Sequence, residues 1–494
     1  MKFASRETLI VAVTVAASLS LALGSNYLSS ASNQQARQWL AGDHHIHSRF
    51  SVGWDNSTNP PTPVLAGDAI YPIPMNAVMG RKHGLDWMVA TDHGGPNHAQ
   101  LNRDYAYKEL LESRLAVPDV VQFFGMEFDT PGADHSSVII PYSDHEADDL
   151  FSVESRFSKR QPWPADASWD TEPRMLEALE YMREMARLPI VIAHHPSRSA
   201  ADLRGYGSTS ATELRQWNDV APQVAIGMEG SPGHQAAVLR QPPLGIANAG
   251  MEANPPASTG SRGSYRRYPT MGGYDQMTAE LGGFWDSMLA EGRHWWITAN
   301  SDSHVHWRDG GSDFWPGEYS KTYILAEKNH HSILESFRQG RIFVTTGDLI
   351  SELWFTVSAT DKQTDTGGTL TVSRGADLNI SIRFLDPDAN NFNGKNPSVQ
   401  RVDLIVGQIT GKVVDPATST TASTNVEARF SDSDWRTDGN YRVIDYTLSD
   451  VQAPLYLRVR GTNTTELEPE PDPAGENPWD DLWFYSNPIF VQVE

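Results

Sequence analysis

The sequence predicts an α/β barrel over about residues 38–348, followed by an all-β, sandwich-like domain over about 350–494. Three observations predict it. Short apolar strand candidates alternate with helical patterns through the first region, as βα units require. Polar residues of the metal-ligand type follow directly on the C-terminal ends of those apolar runs, at widely separated points of the chain, which is where barrel active sites are assembled. Past Asp348 the texture changes to β-rich segments divided by Gly, Pro, Asn and Asp turns.

The elements follow in order. Lys2 and Arg6 precede an apolar or small run from Leu9 to Leu23, then Gly24-Ser25. This reads as a secretory signal peptide over residues 1–32, with an uncleaved membrane anchor as the alternative, because the run falls short of the roughly 20 residues a spanning helix needs. The mature protein is therefore expected to be secreted or periplasmic, with membrane attachment only through this segment. Strands are predicted at Leu85–Ala90, Val120–Phe124, Ser137–Ile140, Pro189–Ala193, Val224–Met228 and Trp295–Ala299. Helices with apolar residues at three and four spacing are predicted at Gln100–Leu115, Arg174–Arg187 and Trp285–Glu291. In the second domain the strand candidates are Leu353–Val357, Leu378–Phe384, Val402–Val406, Tyr441–Leu448, Leu455–Val459 and Pro488–Val493. The aromatics Trp479, Trp483, Phe484 and Tyr485 are expected to pack in a core or between domains. Asp386-Pro387-Asp388-Ala389-Asn390 alternates oxygen ligands without completing a calcium loop, and reads as an ordinary turn.

Composition narrows the chemistry. A formal net charge of −23 over 494 residues argues against general nucleic-acid binding, which needs clustered Lys and Arg. There is no cysteine, so thiolate zinc sites and disulfides are excluded and any metal must be held by nitrogen and oxygen. An anionic substrate would need local positive charge, which bound metals can supply.

Five separated patches carry such ligands: His45-Ile46-His47, Thr91-Asp92-His93, Glu127 with His135, His194-His195-Pro196 and Asp302-Ser303-His304. Residues two apart on a strand project to the same face, so His45 and His47 can reach one ion, as can Asp302 and His304. One histidine near a strand end is ordinarily a hydrogen-bonded structural residue; five patches in one chain point to a multinuclear centre. His44, His98, His234 and His306 are expected to be structural. Arg262, Arg266 and Arg267 form a basic stretch that could recruit phosphate or simply be a solvated loop.

In combination, Asp43-His44-His45-Ile46-His47-Ser48, Gly84-Leu85-Asp86 leading to Thr91-Asp92-His93, Gly125-Met126-Glu127 with His135, Ala193-His194-His195-Pro196 and Ser301-Asp302-Ser303-His304 resemble the PHP (polymerase and histidinol phosphatase) superfamily. Trp285–Gly292, Pro316-Gly317-Glu318, Arg338–Thr346 and Tyr485–Ile489 look like its secreted CehA/McbA-type branch. The resemblance implies a distorted (βα)7 TIM-like barrel, the PHP fold, holding two to three divalent metal ions, with Zn, Mn and Fe all suited to the donors. It implies one metal on His45, His47, Glu127 and Asp302, a second on Asp68, His93 and His304, and a third on Glu127, His135 and His195. Asp68 is preferred to Asp55 because it lies 24 residues before Asp92 (92 − 68 = 24), the family's usual spacing, which makes Ser51–Gly67 an insertion. His195 is preferred to His194 because the family ligand directly precedes proline. Asp92 is expected to orient a ligand from behind; Arg198 and His194 are the candidates for substrate contact, with a surface ion pair the alternative for Arg198 and a hydrogen bond to a ligand, or simple packing, the alternative for His194.

The function so implied is a metal-dependent hydrolase, a phosphoesterase acting on a small phosphate ester, with Glu127, Asp302 and His195 at the catalytic centre. Metals about 3.5–4 Å apart acidify a shared water and neutralise charge on transition-state oxygens. The alternatives are a carbamate or carboxylic ester hydrolase of the carbaryl hydrolase type, and a non-catalytic surface binding protein. An arginine aimed at the metals would favour phosphate; an apolar aromatic pocket would favour carbamate.

Overall fold

Apolar runs become strands wherever both faces can be covered. The computed structural model describes residues 37–200, 204–237, 270–311, 313–472 and 477–494. The leader at 1–32 and the arginines 262, 266 and 267 lie outside these. In chain order, β1 (Gln38–Asp43) leads through a hairpin, β2 (Gly53–Asp55) and β3 (Thr62–Val64), to α1 (Ile73–Lys82) and β4 (Trp87–Asp92). A helical run follows: α2 (His98–Leu101), a π-helical turn over Asn102–Ala106 and α3 (Tyr107–Ala116). Next come β5 (Val121–Asp129), β6 (His135–Ile140), α4 (Glu146–Phe157), α5 (Glu172–Arg183), β7 (Ile190–Ala193), α6 (Ala211–Val220) and β8 (Ala225–Pro232). Then α7 (Gly233–Ala237), α8 (Gln276–Ala279), α9 (Phe284–Ala290), β9 (Trp296–Asn300), β10 (Ser320–Ala326), α10 (His330–Arg338) and β11 (Ile342–Thr346) complete this part.

Helix starts follow local chemistry. Ser210 and Glu213 form a reciprocal capping box at the head of α6, and the Asn329 side chain accepts from the Ser332 amide at 2.9 Å to start α10. The strands β4, β7 and β9 are buried along their whole length, as expected where helices cover both faces.

The sheet runs β10-β1-β4-β5-β6-β7-β8-β9. Pairs β1–β4, β4–β5, β7–β8 and β8–β9 are parallel. Two strands depart from an all-parallel pattern: β6 is antiparallel to both β5 and β7, and β10 is antiparallel to β1. The reversal of β6 follows from its connection to β5, a turn too short for a crossover helix. The two margins of this sheet approach one another. The His47 amide donates to the Ser303 carbonyl at 3.0 Å, Ile46 and Ser303 form a parallel bridge, and the Ala299 amide donates to Thr322 Oγ1 at 2.8 Å. The Asp43 carboxylate fastens the same seam, accepting from the Ser301 amide at 3.0 Å.

The C-terminal strands are β12 (Glu352–Ala359), β13 (Lys362–Asp365), β14 (Thr369–Val372), β15 (Ala376–Leu385), β16 (Arg401–Gln408), β17 (Thr424–Phe430), β18 (Arg436–Asp438), β19 (Tyr441–Val451), β20 (Leu455–Thr462), β21 (Trp483–Ser486) and β22 (Ile489–Val493). A separate antiparallel sheet has the order β13-β12-β15-β19-β18. Inward residues alternate along its strands, Leu353, Phe355 and Val357 on β12 and Leu378, Ile380 and Ile382 on β15. They share a core with Leu404, Leu457, Phe484 and Ile489. The remaining strands do not form a detached unit. β21 pairs antiparallel with β11, so β14, β22, β20 and β21 continue the sheet that begins at β1, and residues 38–494 form one unit. Trp479, Trp483, Phe484 and Tyr485 are buried at this join.

Candidate metal centre

Strand ends deliver the ligand-type side chains to one place. His45 and His47 follow β1, His93 follows β4, Glu127 lies near the end of β5, His194 and His195 follow β7, and Asp302 and His304 follow β9. Because β6 runs backwards, its first residue His135 starts at the end where β5 finishes, paired with Asp129. His195 and Asp302 have φ of 27° and 50°, left-handed conformations that non-glycine residues avoid and that functional sites retain at a cost of about 1–3 kcal/mol.

Glu127 sits at the middle. Its Oε1 lies 2.8 Å from His135 Nδ1, 3.0 Å from His194 Nδ1 and 3.1 Å from His195 Nε2. Its Oε2 faces His47 Nε2 at 3.5 Å and His93 Nε2 at 3.8 Å. Asp302 Oδ1 lies 3.2 Å from His45 Nε2 and 3.1 Å from His47 Nε2. Asp68 Oδ2 spans His93 Nε2 at 2.9 Å and His304 Nε2 at 3.5 Å.

Hydrogen bonds behind the rings fix which nitrogen faces inward. Ser51 Oγ donates to Asp92 Oδ1 at 2.8 Å and accepts from His47 Nδ1 at 2.8 Å. Asp92 also takes the Ser48 amide and hydroxyl, at 2.6 and 2.7 Å, which holds the turn carrying His47. His45 Nδ1 donates to Glu229 Oε1 at 2.7 Å, and Glu229 Oε2 accepts the His195 amide. With Nδ1 of each ring engaged, His45 and His47 bring their Nε2 atoms to 2.9 Å of one another, beside an Asp302 oxygen. A shared proton or a metal ion can occupy such a cluster of ring nitrogens and carboxylate oxygen.

The titration behaviour agrees. Burial pushes His45 down, yet the charges of Asp302, Glu229 and Glu127 overcome it and hold the ring well above its usual value. Burial and the same carboxylate charges contend at His135 and His304, which end raised to about 9 through Glu127 and Asp129, and through Asp68 and Asp302. Burial would raise Glu127, but the charges of His135 and His45 keep it well below the carboxylate range. Protons occupy the metal-free centre where cations fit. Among the groups whose donor atoms lie within 4.8 Å of one another in a way suited to an ion are His45, His47 and Asp302; His47, His93 and His304; Glu127, His135 and His195; and His45, Glu127 and His194. These buried clusters are compatible with a multinuclear site of imidazole and carboxylate donors.

Every residue expected to hold metal is therefore at this site. Asp68, not Asp55, reaches it: Asp55 is exposed on β2 and accepts from the Ser57 amide at 2.9 Å, within the inserted hairpin. Asp92 lies behind His47 as expected. The two residues expected to touch substrate are at the centre as well, each engaged with protein groups. His194 is fully buried, stacked on His45 with centroids 3.6 Å apart and bonded through Nε2 to Ser137 Oγ, so it supports Glu127 from below. Arg198 forms a two-pronged pair with Asp134 at 2.8 and 2.6 Å, beside the His195 ring. Of the histidines expected to be structural, His98 pairs with Glu154, His234 with Asp313 at 2.7 Å and His306 with Glu318 at 3.0 Å, while His44 bonds Ser137 and Thr298 beneath the centre. Sequence reasoning missed Glu229 and Ser51. Glu229 had a signal, being an acid at the end of the apolar run Val224–Met228; Ser51 had none.

Compared with known proteins, the chain matches no family model and no curated protein. Among the described residues no helix is long and apolar enough to cross a membrane.

Proposed function

We propose that the chain is a secreted metal-dependent hydrolase whose substrates are phosphoric esters, built on a distorted (βα)7 barrel of the PHP type. The observation that carries this reading is the single carboxylate Glu127 facing six imidazoles from four strand ends, which is the arrangement a bridging ligand between ions requires. The approach of β9 to β1 and β10 supports a closed barrel. Two or three divalent ions would sit on His45, His47, Glu127 and Asp302, on Asp68, His93 and His304, and on Glu127, His135 and His195. When bound, such ions supply Lewis acidity that acidifies water and neutralises ester oxygens. The chain's own part is positional. Glu229 and Asp92 set the tautomers of His45 and His47, and the buried walls keep bulk water from the inner ligands.

A guanidinium within reach of the centre would favour phosphate over carbamate, and Arg160 is the candidate for it. The half-exposed Arg160 guanidinium stands 3.3 Å from Asp129 Oδ1, and Asp129 lies 3.5 Å from His135 Nε2. The test is metal content and turnover on one sample, using p-nitrophenyl phosphate, bis-p-nitrophenyl phosphate and a naphthyl carbamate before and after chelation. Two to three ions per chain with chelator-sensitive phosphate ester turnover is the expected result. Carbamate turnover alone would replace the substrate class, and no metal with no turnover would overturn the proposal.

A further inference from the structure

A cavity of about 320 Å³ opens on the other side of the loop that carries His304, between the end of α1, residues 306–318 and Phe392 from the β15–β16 connection. That is within the size range of small-molecule sites. In a chain of net charge −23, two cations and two acids line this cavity, and the cations stand outside its ion pairs. Lys82 and Arg308 line it, and neither has a carboxylate partner among the described residues; Arg308 lies over the Trp307 ring at 4.7 Å. Both acids of the lining are already engaged. The Tyr71 hydroxyl donates to Asp309 Oδ2 at 2.7 Å, and Glu318 Oε2 accepts from His306 Nε2 at 3.0 Å and from the Trp315 amide at 2.9 Å.

His83 supplies the independent observation. It is 5% exposed, it lines the cavity, and neither ring nitrogen has a hydrogen-bond partner. Buried polar groups without partners are rare in folded proteins and point to one that is missing. Burial pushes this imidazole down to about 4, so at neutral pH it is uncharged, with one N–H to donate and one lone pair. The walls are flat and aromatic: Trp315 stacks on His306 at 5.0 Å and 15°, Tyr71 backs it at 4.4 Å, and Phe392, 41% exposed, meets His83 edge-on at 4.4 Å.

We propose that this cavity binds a small organic anion built on a planar ring, an aromatic carboxylate for example. Lys82 and Arg308 hold the charged end, His83 hydrogen-bonds it, and the exposed Phe392 covers the ring, with Trp315 presenting its edge. The site is separate from the metal centre, although His306 follows His304 by two residues, and the inference does not depend on the hydrolase reading.

Benzoate is the probe and benzyl alcohol its neutral match, titrated calorimetrically into the full chain loaded with metal. The same titrations are run on Lys82→Ala/Arg308→Ala, whose changes are on exposed side chains, and on His47→Ala, in which the metal centre is disabled and the cavity intact. Metal-stripped wild type replaces His47→Ala should that variant not fold. Benzoate should bind wild type and His47→Ala within twofold of each other, at least tenfold more weakly in the double variant, and at least tenfold more tightly than benzyl alcohol. Absence of benzoate binding, equal binding of the alcohol, or full affinity in the double variant would overturn the proposal. Loss of binding in His47→Ala would overturn it too, by placing benzoate on the metal centre. Failure to hydrolyse esters would affect none of these readings.

Discussion

Glu229→Gln tests how the metal centre is held together. Glu229 touches no proposed ion; it accepts His45 Nδ1–H at 2.7 Å with one oxygen and the His195 amide with the other, and so aligns two ligands from different strands. Glutamine is nearly isosteric but keeps one acceptor, at neutral strength, and turns an N–H₂ group towards the second donor. Replacing a charge-assisted bond with a neutral one, and losing its neighbour, costs about 2 kcal/mol of alignment, which is roughly 30-fold in metal affinity. That agrees with the ~10–100-fold losses seen when carboxylates behind metal-bound histidines are changed. The assay is competition for Zn²⁺ or Mn²⁺ against a chromophoric chelator, with thermal unfolding of the metal-free protein as the check on folding. A folded variant that binds metal within twofold of wild type would refute the assignment. Ser51→Ala should cost less, about 2–10-fold, because the bond it removes from His47 Nδ1 is neutral.

Glu127→Ala should lose bound metal and ester turnover together while the far-ultraviolet dichroism stays that of wild type; turnover unchanged in a metal-verified sample would defeat the bridging role. His135 and His304 are raised to about 9 in the metal-free chain. Their contribution to metal-free stability is therefore complete below about 6.5 and lost as pH rises through about 9. Ions must displace those protons, so apparent metal affinity should climb between pH 6.5 and 9, with calorimetry in two buffers at pH 7.5 registering proton release. An affinity independent of pH would contradict this. Asp286→Ala strips the buried Arg458 of its two-pronged partner at 2.8 Å and 2.8 Å, which should destabilise the chain by about 3–5 kcal/mol in denaturant unfolding. A loss under 1 kcal/mol would mean that Arg458 finds solvent.

The ligand end of the fold was legible because its signal is local. Each ligand directly follows an apolar run, and the runs at Leu85–Ala90 and Trp295–Ala299 became β4 and β9 within two residues. Direction was not legible. Nothing in Ser137–Ile140 says that β6 runs against its neighbours, since that is decided by the length of the turn before it. The supporting carboxylates were hidden for a similar reason: Glu229 reaches His45 across 184 positions of sequence, a contact that only the sheet order creates. The direction of His194 was not legible either, because a residue after a strand end is free to turn either way. The structure gives His195 a left-handed φ and brings both buried rings to Glu127 Oε1, His194 through Nδ1 at 3.0 Å and His195 through Nε2 at 3.1 Å. The change in texture past Asp348 marks the antiparallel sheet well, but strand composition cannot reveal that Trp483–Ser486 returns to pair with β11.

That return sets an order of assembly. β11 is flanked by β10 on one side and by β21 on the other, and β22 joins the same sheet through β20 and β14. A nascent chain lacking everything from residue 483 onward already contains all the ligand-bearing strands, yet it presents β11 as a bare edge with its apolar neighbours uncovered. Synthesis must reach residues 483–494 before that edge closes, so removing them would be felt along the sheet that carries the ligands, where the Asn487 side chain bonds both the amide and the carbonyl of Ile297 on β9.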